Sequence, residues 1–283
     1  MRPFLDRVLA GRPVSRERYE EVVRHYEMLG GRSPYNELTM RQAAGLRKAL
    51  SDTGAAAKVV MAFRHSPPYP AEVLGQLKQE GARRVLAFIL AAHRSEASWN
   101  RYISDVTTVC ERLGGQAPEV EYPAPWHADN RFIEAVSERT TSALDRLSDH
   151  DRRRVELIFT AHSIPAAMAS RSAYVSELNE SARLVARTVG SDRWSIAFQS
   201  SGSREGWLGP DICEALKERS GGCVVLIPVG FLCDHIEVLY DLDIEAMTCT
   251  READVRMERA GTVDDHPAFI QMMAEIVRQH LKP

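Results

Sequence analysis

The chain has 283 residues, 44% hydrophobic and 27% charged, the make-up of a globular protein able to bury one large core or two smaller ones. A net charge of −3 leaves no basic surplus for nucleic acid or an anionic membrane surface. No apolar run reaches the roughly twenty residues of a membrane helix, and the opening MRPFLDRVLAGR has no apolar signal core.

In chain order, Ser15 caps a predicted helix whose Tyr19, Val22, Val23, Tyr26 and Leu29 share one face, and Gly30-Gly31 ends it. Strands are predicted over 58–63, 84–90, 156–161, 195–199 and 223–229, each a nearly continuous apolar run, as strands covered on both faces should be. Helical patterns lie between and after them, at 70–80, 97–113, 130–147, 174–189, 210–218 and 268–281. This alternation predicts an α/β chain with parallel sheets flanked by helices. The stretch GQAPEVEYPAPWHA, 115–128, is rich in proline and turn residues and reads as the boundary between two lobes, 1–120 and 121–283. The five cysteines, Cys110, Cys213, Cys223, Cys233 and Cys249, form no CxxC pair and no zinc-ligand spacing. Reduced thiols in a cytoplasmic protein are therefore expected.

Ligands in such folds sit beyond the carboxyl ends of strands. There the chain places Arg64-His65, His93, His162, Ser200-Ser201 and Asp234-His235, so histidine follows four of the five predicted strands although the chain has only nine. That predicts an inter-lobe cleft lined by imidazoles. In TAHSIP, 160–165, His162 is held between a strand end and Ser163 and Pro165, where it can ligate a metal or accept a proton near neutral pH. A histidine merely satisfied by backbone in a turn is the alternative.

A second candidate is the acidic segment DHIEVLYDLDIEA, 234–246. Glu237, Asp241 and Glu245 are spaced by four, so on a helix they are neighbours and repel by a few tenths of a kcal/mol per pair, roughly. No lysine or arginine lies between Arg219 and Arg251 to offset them. Two readings stay open. Asp234 and Glu237 can form a D-x-x-E capping box ahead of a solvated face, or the carboxylates can hold a divalent cation. In QSSGSREGWLGPD, 199–211, Trp207 and Leu208 can plug a loop or wall a flat ligand. No GxxxxGK[ST], GxGxxG or nucleophile elbow occurs.

Taken together, TAHSIP, QSSGSREGWLGPD and PVGFLCDHIEVLYDLDIEA (228–246) resemble the ferrochelatase family, whose members insert ferrous iron into a porphyrin. HYEMLGGRSPYNE (25–37) and LAAHRSEASWNRY (90–102) add weaker matches in the family's order. The closer likeness is to soluble bacterial members, several of which act on coproporphyrin III. The resemblance implies two Rossmann-like lobes with a cleft between them. It implies His162 and Glu237 as the central catalytic and metal-handling pair, with Asp241 and Glu245 continuing an acidic track. His235 is implied as a partner that orients Glu237. Arg12, Ser33, His93, Ser200 and Trp207 are implied to line the porphyrin site, His93 at the cleft mouth and Arg12 toward the propionates.

By the same resemblance the substrates are a porphyrin and Fe(2+), with no organic cofactor, no nucleic-acid partner, no stable membrane insertion and a monomer as the working form. The sequence also departs from the family. Relatives begin with a further strand and a Gly-Thr-Pro or Gly-Gly-Pro type loop, so lobe one is expected to lack its usual first strand, through a misassigned start or a truly short chain. Ala92 stands where some relatives carry a basic residue. The C-terminal cysteine cluster of some members has no counterpart here, so no iron–sulfur cluster is expected. Two other functions compete: a cobalt or nickel chelatase for a sirohydrochlorin-like ring, against which the WLGPD segment speaks, and a porphyrin- or haem-binding carrier without turnover.

Overall fold

Strands buried on both faces need apolar side chains at odd and even positions alike, and the central strands of this protein meet that demand. The computed structural model describes residues 1–9, 14–55, 57–201 and 205–281. Among these described residues, six strands form two parallel sheets. β1 (Arg84–Leu86) pairs with β2 (Glu119–Glu121). β3 (Glu156–His162), β4 (Trp194–Gln199), β5 (Cys223–Ile227) and β6 (Arg256–Arg259) form the second sheet in the order β4-β3-β5-β6.

The helices are α1 (Arg2–Leu9), α2 (Arg16–Met28), α3 (Tyr35–Asp52), α4 (Pro70–Gln79), α5 (Arg101–Leu113), α6 (Asn130–Leu144) and α7 (Asp149–Arg152). They continue with α8 (Ala166–Ala169), α9 (Tyr174–Thr188), α10 (Ile212–Lys217), α11 (Ile236–Tyr240), α12 (Ala246–Ala253) and α13 (Pro267–Leu281). Two π-helical turns, Glu96–Asn100 and Asp241–Glu245, lead into α5 and α12.

Alternation along the strands divides the second sheet's side chains between two cores. Leu157, Phe159 and Ala161 of β3, with Val225 and Ile227 of β5, join the larger cluster under α6, α9 and α13. Ile158, Val224 and Leu226 face the other way, toward Leu216 of α10, Val238 of α11 and Ala246 of α12. The larger cluster also takes in Leu46, Ala49 and Leu50 of α3, which ties the N-terminal helices to the second sheet. A smaller cluster joins Leu5 of α1 and Val23 and Tyr26 of α2 to Ile236 of α11.

Three expectations change. The apolar run 58–63 belongs to no sheet among the described residues: Lys58, Val60 and Ala62 are exposed, and no described strand pairs with its backbone. A strand exists only where a neighbour answers its N–H and C=O groups. The run 84–90 is a strand over its first three residues only, and its partner β2 lies inside the proline-rich stretch 115–128. The cysteines are not all free thiols. Cys213 of α10 and Cys249 of α12 are disulfide-bonded, with Cα atoms 5.6 Å apart, because the two helices pack side by side on one face of the sheet. Cys110, Cys223 and Cys233 are free.

Candidate active site

His162 ends β3, and Glu237 lies in the first turn of α11, just past the end of the neighbouring β5. The approach of these two elements depends on Gly230. Its N–H donates to the Thr160 carbonyl at 3.0 Å, and a Cβ there would lie 2.5 Å from the Ala161 Cβ. Only glycine lets the loop after β5 pass this close to β3. The result brings His162 Nε2 to 3.8 Å from Glu237 Oε2, with 36% and 52% of the two side chains exposed.

The imidazole is oriented. His162 Nδ1 lies 2.5 Å from the Ser163 carbonyl, an acceptor only, so Nδ1 carries a proton, and in the neutral ring it is Nε2 that turns its lone pair toward Glu237. Ser163 is itself pinned: its N–H donates to the Gln199 carbonyl at 2.9 Å and its hydroxyl to the Leu208 carbonyl at 2.7 Å. Leu208 N–H returns to the Ile164 carbonyl, Ala166 N–H bonds to the Gly206 carbonyl, and Trp207 bridges Pro165. The tryptophan loop is thus laced to the histidine segment. Trp207 is half-buried there.

The acidic segment does not start with the D-x-x-E capping box that was one of its two readings. His235 is the N-cap of α11, its Nδ1 accepting the Glu237 N–H at 3.2 Å. Asp234 instead meets the Arg259 guanidinium at 3.2 and 3.3 Å and the Thr262 hydroxyl at 3.1 Å. Arg259 of β6 also holds Asp243, at 2.6 and 2.9 Å. One arginine from outside the segment therefore neutralises the two acids that face away from the Glu237–Asp241–Glu245 row. His235 acts on the backbone of Glu237, and burial pushes its own pKa down.

Asp241 is 9% exposed and accepts the Ser200 hydroxyl at 2.7 Å. Ser200 reaches it from a left-handed backbone at φ 56° at the end of β4. Burial first, then the charges of Glu237 and Glu245, push the Asp241 pKa up to about 7 against the lowering effect of Ser200. Glu245 is also pushed up, by burial and then by Asp211. Gln199 Nε2 donates to the Glu237 carbonyl at 3.3 Å, which ties β4 to α11. Among the described residues, no three His, Cys, Asp or Glu side chains converge as a metal-ion group. His162 and Glu237 meet, whereas Asp241 and Glu245 continue along the helix.

The remaining expected residues spread out. Ser33 accepts the Tyr35 N–H at 3.3 Å ahead of α3, and the Tyr35 ring sits edge-on to His235. His93 is enclosed, with Nε2 3.0 Å from the Ser181 hydroxyl, rather than open at a cleft mouth. His65 packs against Phe4 of α1. Arg12 lies outside the described residues. Three neighbours were not singled out as site residues by the sequence. His25 of α2 stacks on Tyr240, with ring centroids 3.4 Å apart. Tyr26 is buried close enough to Glu237 that burial and that charge together raise its pKa to about 12. Tyr174 donates its hydroxyl to the His162 carbonyl at 2.8 Å.

Comparison with known proteins is consistent along the whole chain. Residues 1–281 match the family model described as Ferrochelatase. The chain is 35% identical to a ferrochelatase of Rhodopirellula baltica, over 99% of this chain and 81% of that one. It is 32% identical to the coproporphyrin III ferrochelatase of Nocardia farcinica, over 99% and 83%, and 30% identical to that of a Geobacillus species, over 96% and 90%. Among solved structures, SirB from Bacillus subtilis with Fe3+ superposes with a TM-score of 0.61 at 14% identity, over 86% of this chain and 89% of that one, a likeness of fold. With a match over 281 of its 283 residues and relatives above 30% identity, the chain belongs to the ferrochelatase family.

Proposed function

We propose that this protein inserts ferrous iron into a porphyrin, with coproporphyrin III and protoporphyrin IX as the substrates to compare. The observation that carries the reading is the pairing of His162 and Glu237, with the proton on the far nitrogen of the ring. Metal–ligand bonds are about 2.0–2.2 Å long for nitrogen and oxygen donors, so one ion can touch both atoms across a 3.8 Å gap.

A free porphyrin carries two N–H protons in its central hole, and both must leave as the metal enters. In the neutral ring the lone pair on His162 Nε2 is a partly exposed proton acceptor. Glu237 takes the second proton or holds the iron while it sheds water. Asp241 and Glu245 continue the row of carboxyl groups along the helix, where they pass protons or cations toward the pair. Trp207, on the loop laced to 163–166, walls the macrocycle. Binding energy at the ring's edges supports the bent porphyrin that exposes its nitrogen lone pairs to the metal. Iron is the substrate, and the chemistry calls for no organic cofactor. Among the described residues no helix is long and apolar enough to cross a membrane.

A sirohydrochlorin-type chelatase is the second reading, since the fold is shared with SirB, which is described as a sirohydrochlorin chelatase. The relatives above 30% identity carry ferrochelatase names, which favours porphyrin and iron. Zinc or iron insertion assays with coproporphyrin III, protoporphyrin IX and sirohydrochlorin test the proposal. Insertion into a porphyrin is expected. Tight porphyrin binding without insertion would turn the reading to a carrier, and insertion into sirohydrochlorin alone would turn it to the second chelatase.

A further inference from the structure

Catalysis by His162 requires its ring to keep one orientation, and that orientation hangs on the Ser163 carbonyl. The carbonyl points where the two peptide units around Ser163 direct it. On one side they are fixed by β4 and the tryptophan loop, through Gln199 and Leu208. The other side has no strand to rely on. β3 pairs with β5 only as far as Phe159, and Gly230 answers the Thr160 carbonyl, so the His162 carbonyl lies beyond the ladder. Tyr174 meets it there, its hydroxyl donating at 2.8 Å from a residue only 8% exposed. Deepening the function proposed above, and resting on it for the kinetic arm of the test, we propose that Tyr174 is a positioning residue for His162.

Tyr174 is placed by more than its own bond. It starts α9, and helical spacing puts Tyr174, Glu177 and Ser181 on one face. The His93 ring stands edge-on to the Tyr174 ring, with centroids 6.4 Å apart and planes at 82°. Ser181, whose hydroxyl reaches the carbonyls of His127 and Glu177 at 2.8 and 3.1 Å, spends its single proton there, so His93 Nε2 is the donor in their contact. Burial keeps His93 uncharged, with its pKa lowered to about 3. Glu177 clamps the same loop, accepting the Arg94 N–H at 2.7 Å and Nε–H at 2.6 Å. One helix face therefore binds the loop after β1 and the carbonyl of His162 at once. This gives His93 a role at one remove from the site: it braces the tyrosine that braces the histidine.

Tyr174→Phe keeps the ring and its packing and removes only the hydroxyl. The expected result is a fall of about tenfold or more in kcat with the porphyrin KM within about twofold of the unmodified protein. Nitrogen-15 spectra of the imidazoles should show one His162 tautomer, Nδ1–H, in the unmodified protein and a mixture in the variant. A folded variant that retains both the rate and the single tautomer would overturn the proposal while leaving the function intact. If the unmodified protein inserts no metal, the function fails and the tautomer comparison still decides the positioning. Should the variant not fold, the unmodified protein decides alone: a single Nδ1–H tautomer with a slowly exchanging Tyr174 hydroxyl proton supports the role, and a mixed tautomer refutes it.

Discussion

The Ser200 hydroxyl donates to Asp241 Oδ2 at 2.7 Å, across the gap between the end of β4 and the π-helical turn that follows α11. The bond places a buried carboxyl in the middle of a row of three, with Glu237 and Glu245 on either side. Like charges four residues apart disfavour one another. Burial above all, and this repulsion with it, push the middle group's pKa up to about 7.

That shift fixes a pH dependence. The Asp241 pKa is raised on folding from an ordinary value of about 4, so between that pH and about 7 the folded protein binds a proton that the unfolded chain has lost. Stability contributed by this group therefore falls as pH rises through the window, by about 1.4 kcal/mol per pH unit at the steepest. Asp241→Asn should be more stable than the unmodified protein at pH 8, with the difference shrinking on the order of 2–3 kcal/mol by pH 5. Urea unfolding of the metal-free proteins at both pH values measures it. A difference that does not change with pH would contradict the assignment.

Gly230→Ala tests the close passage of the loop after β5 against β3. The added methyl would sit 2.5 Å from the Ala161 Cβ and 2.7 Å from its Cα, backbone-anchored atoms that cannot swing aside. A loss of about 1–3 kcal/mol is expected for forced overpacking of this kind. Metal insertion should fall with it, because Glu237 follows the displaced loop. Calorimetric unfolding together with an insertion assay reads both; unchanged stability would show that the loop has room to move.

The Cys213–Cys249 bond closes a separation of 36 residues between α10 and α12. Loop-closure entropy puts its contribution at about 3–4 kcal/mol. A non-reducing peptide map should recover the two cysteine peptides linked, and reduction should lower the unfolding midpoint. Five titratable thiols in the unfolded, unreduced chain would rule the bond out.

The second sheet was legible because β3 and β5 are apolar on both faces, and each face found a core. The run 58–63 is equally apolar and joins no described sheet, since an apolar run does not name the neighbour that would pair with it. β6 went unread for the opposite reason: Arg-Met-Glu-Arg sits at the sheet's edge, where charged side chains are at home. α3 has a regular buried face of Thr39, Gln42, Ala43, Leu46, Ala49 and Leu50, but small and polar residues carry much of it, and its amphipathic pattern drew no prediction.

At the site, His162 and Glu237 were readable as chemistry-bearing types in recognisable segments. The job of Asp234 was not, because its partner Arg259 lies 25 residues further on, on a strand with no apolar signature. Tyr174 was hidden more deeply. A helix-starting tyrosine looks like core, and only the end of the β3–β5 ladder shows what its hydroxyl holds.

Metal insertion by His162→Ala, measured beside porphyrin binding by the same variant, tests the central claim most directly. The imidazole is over a third exposed, so its loss should leave the fold and porphyrin affinity nearly unchanged. Insertion is expected to drop by a factor of about 100 or more, in the range found when a general base is removed. Insertion at the unmodified rate by a folded, porphyrin-binding His162→Ala protein would contradict it.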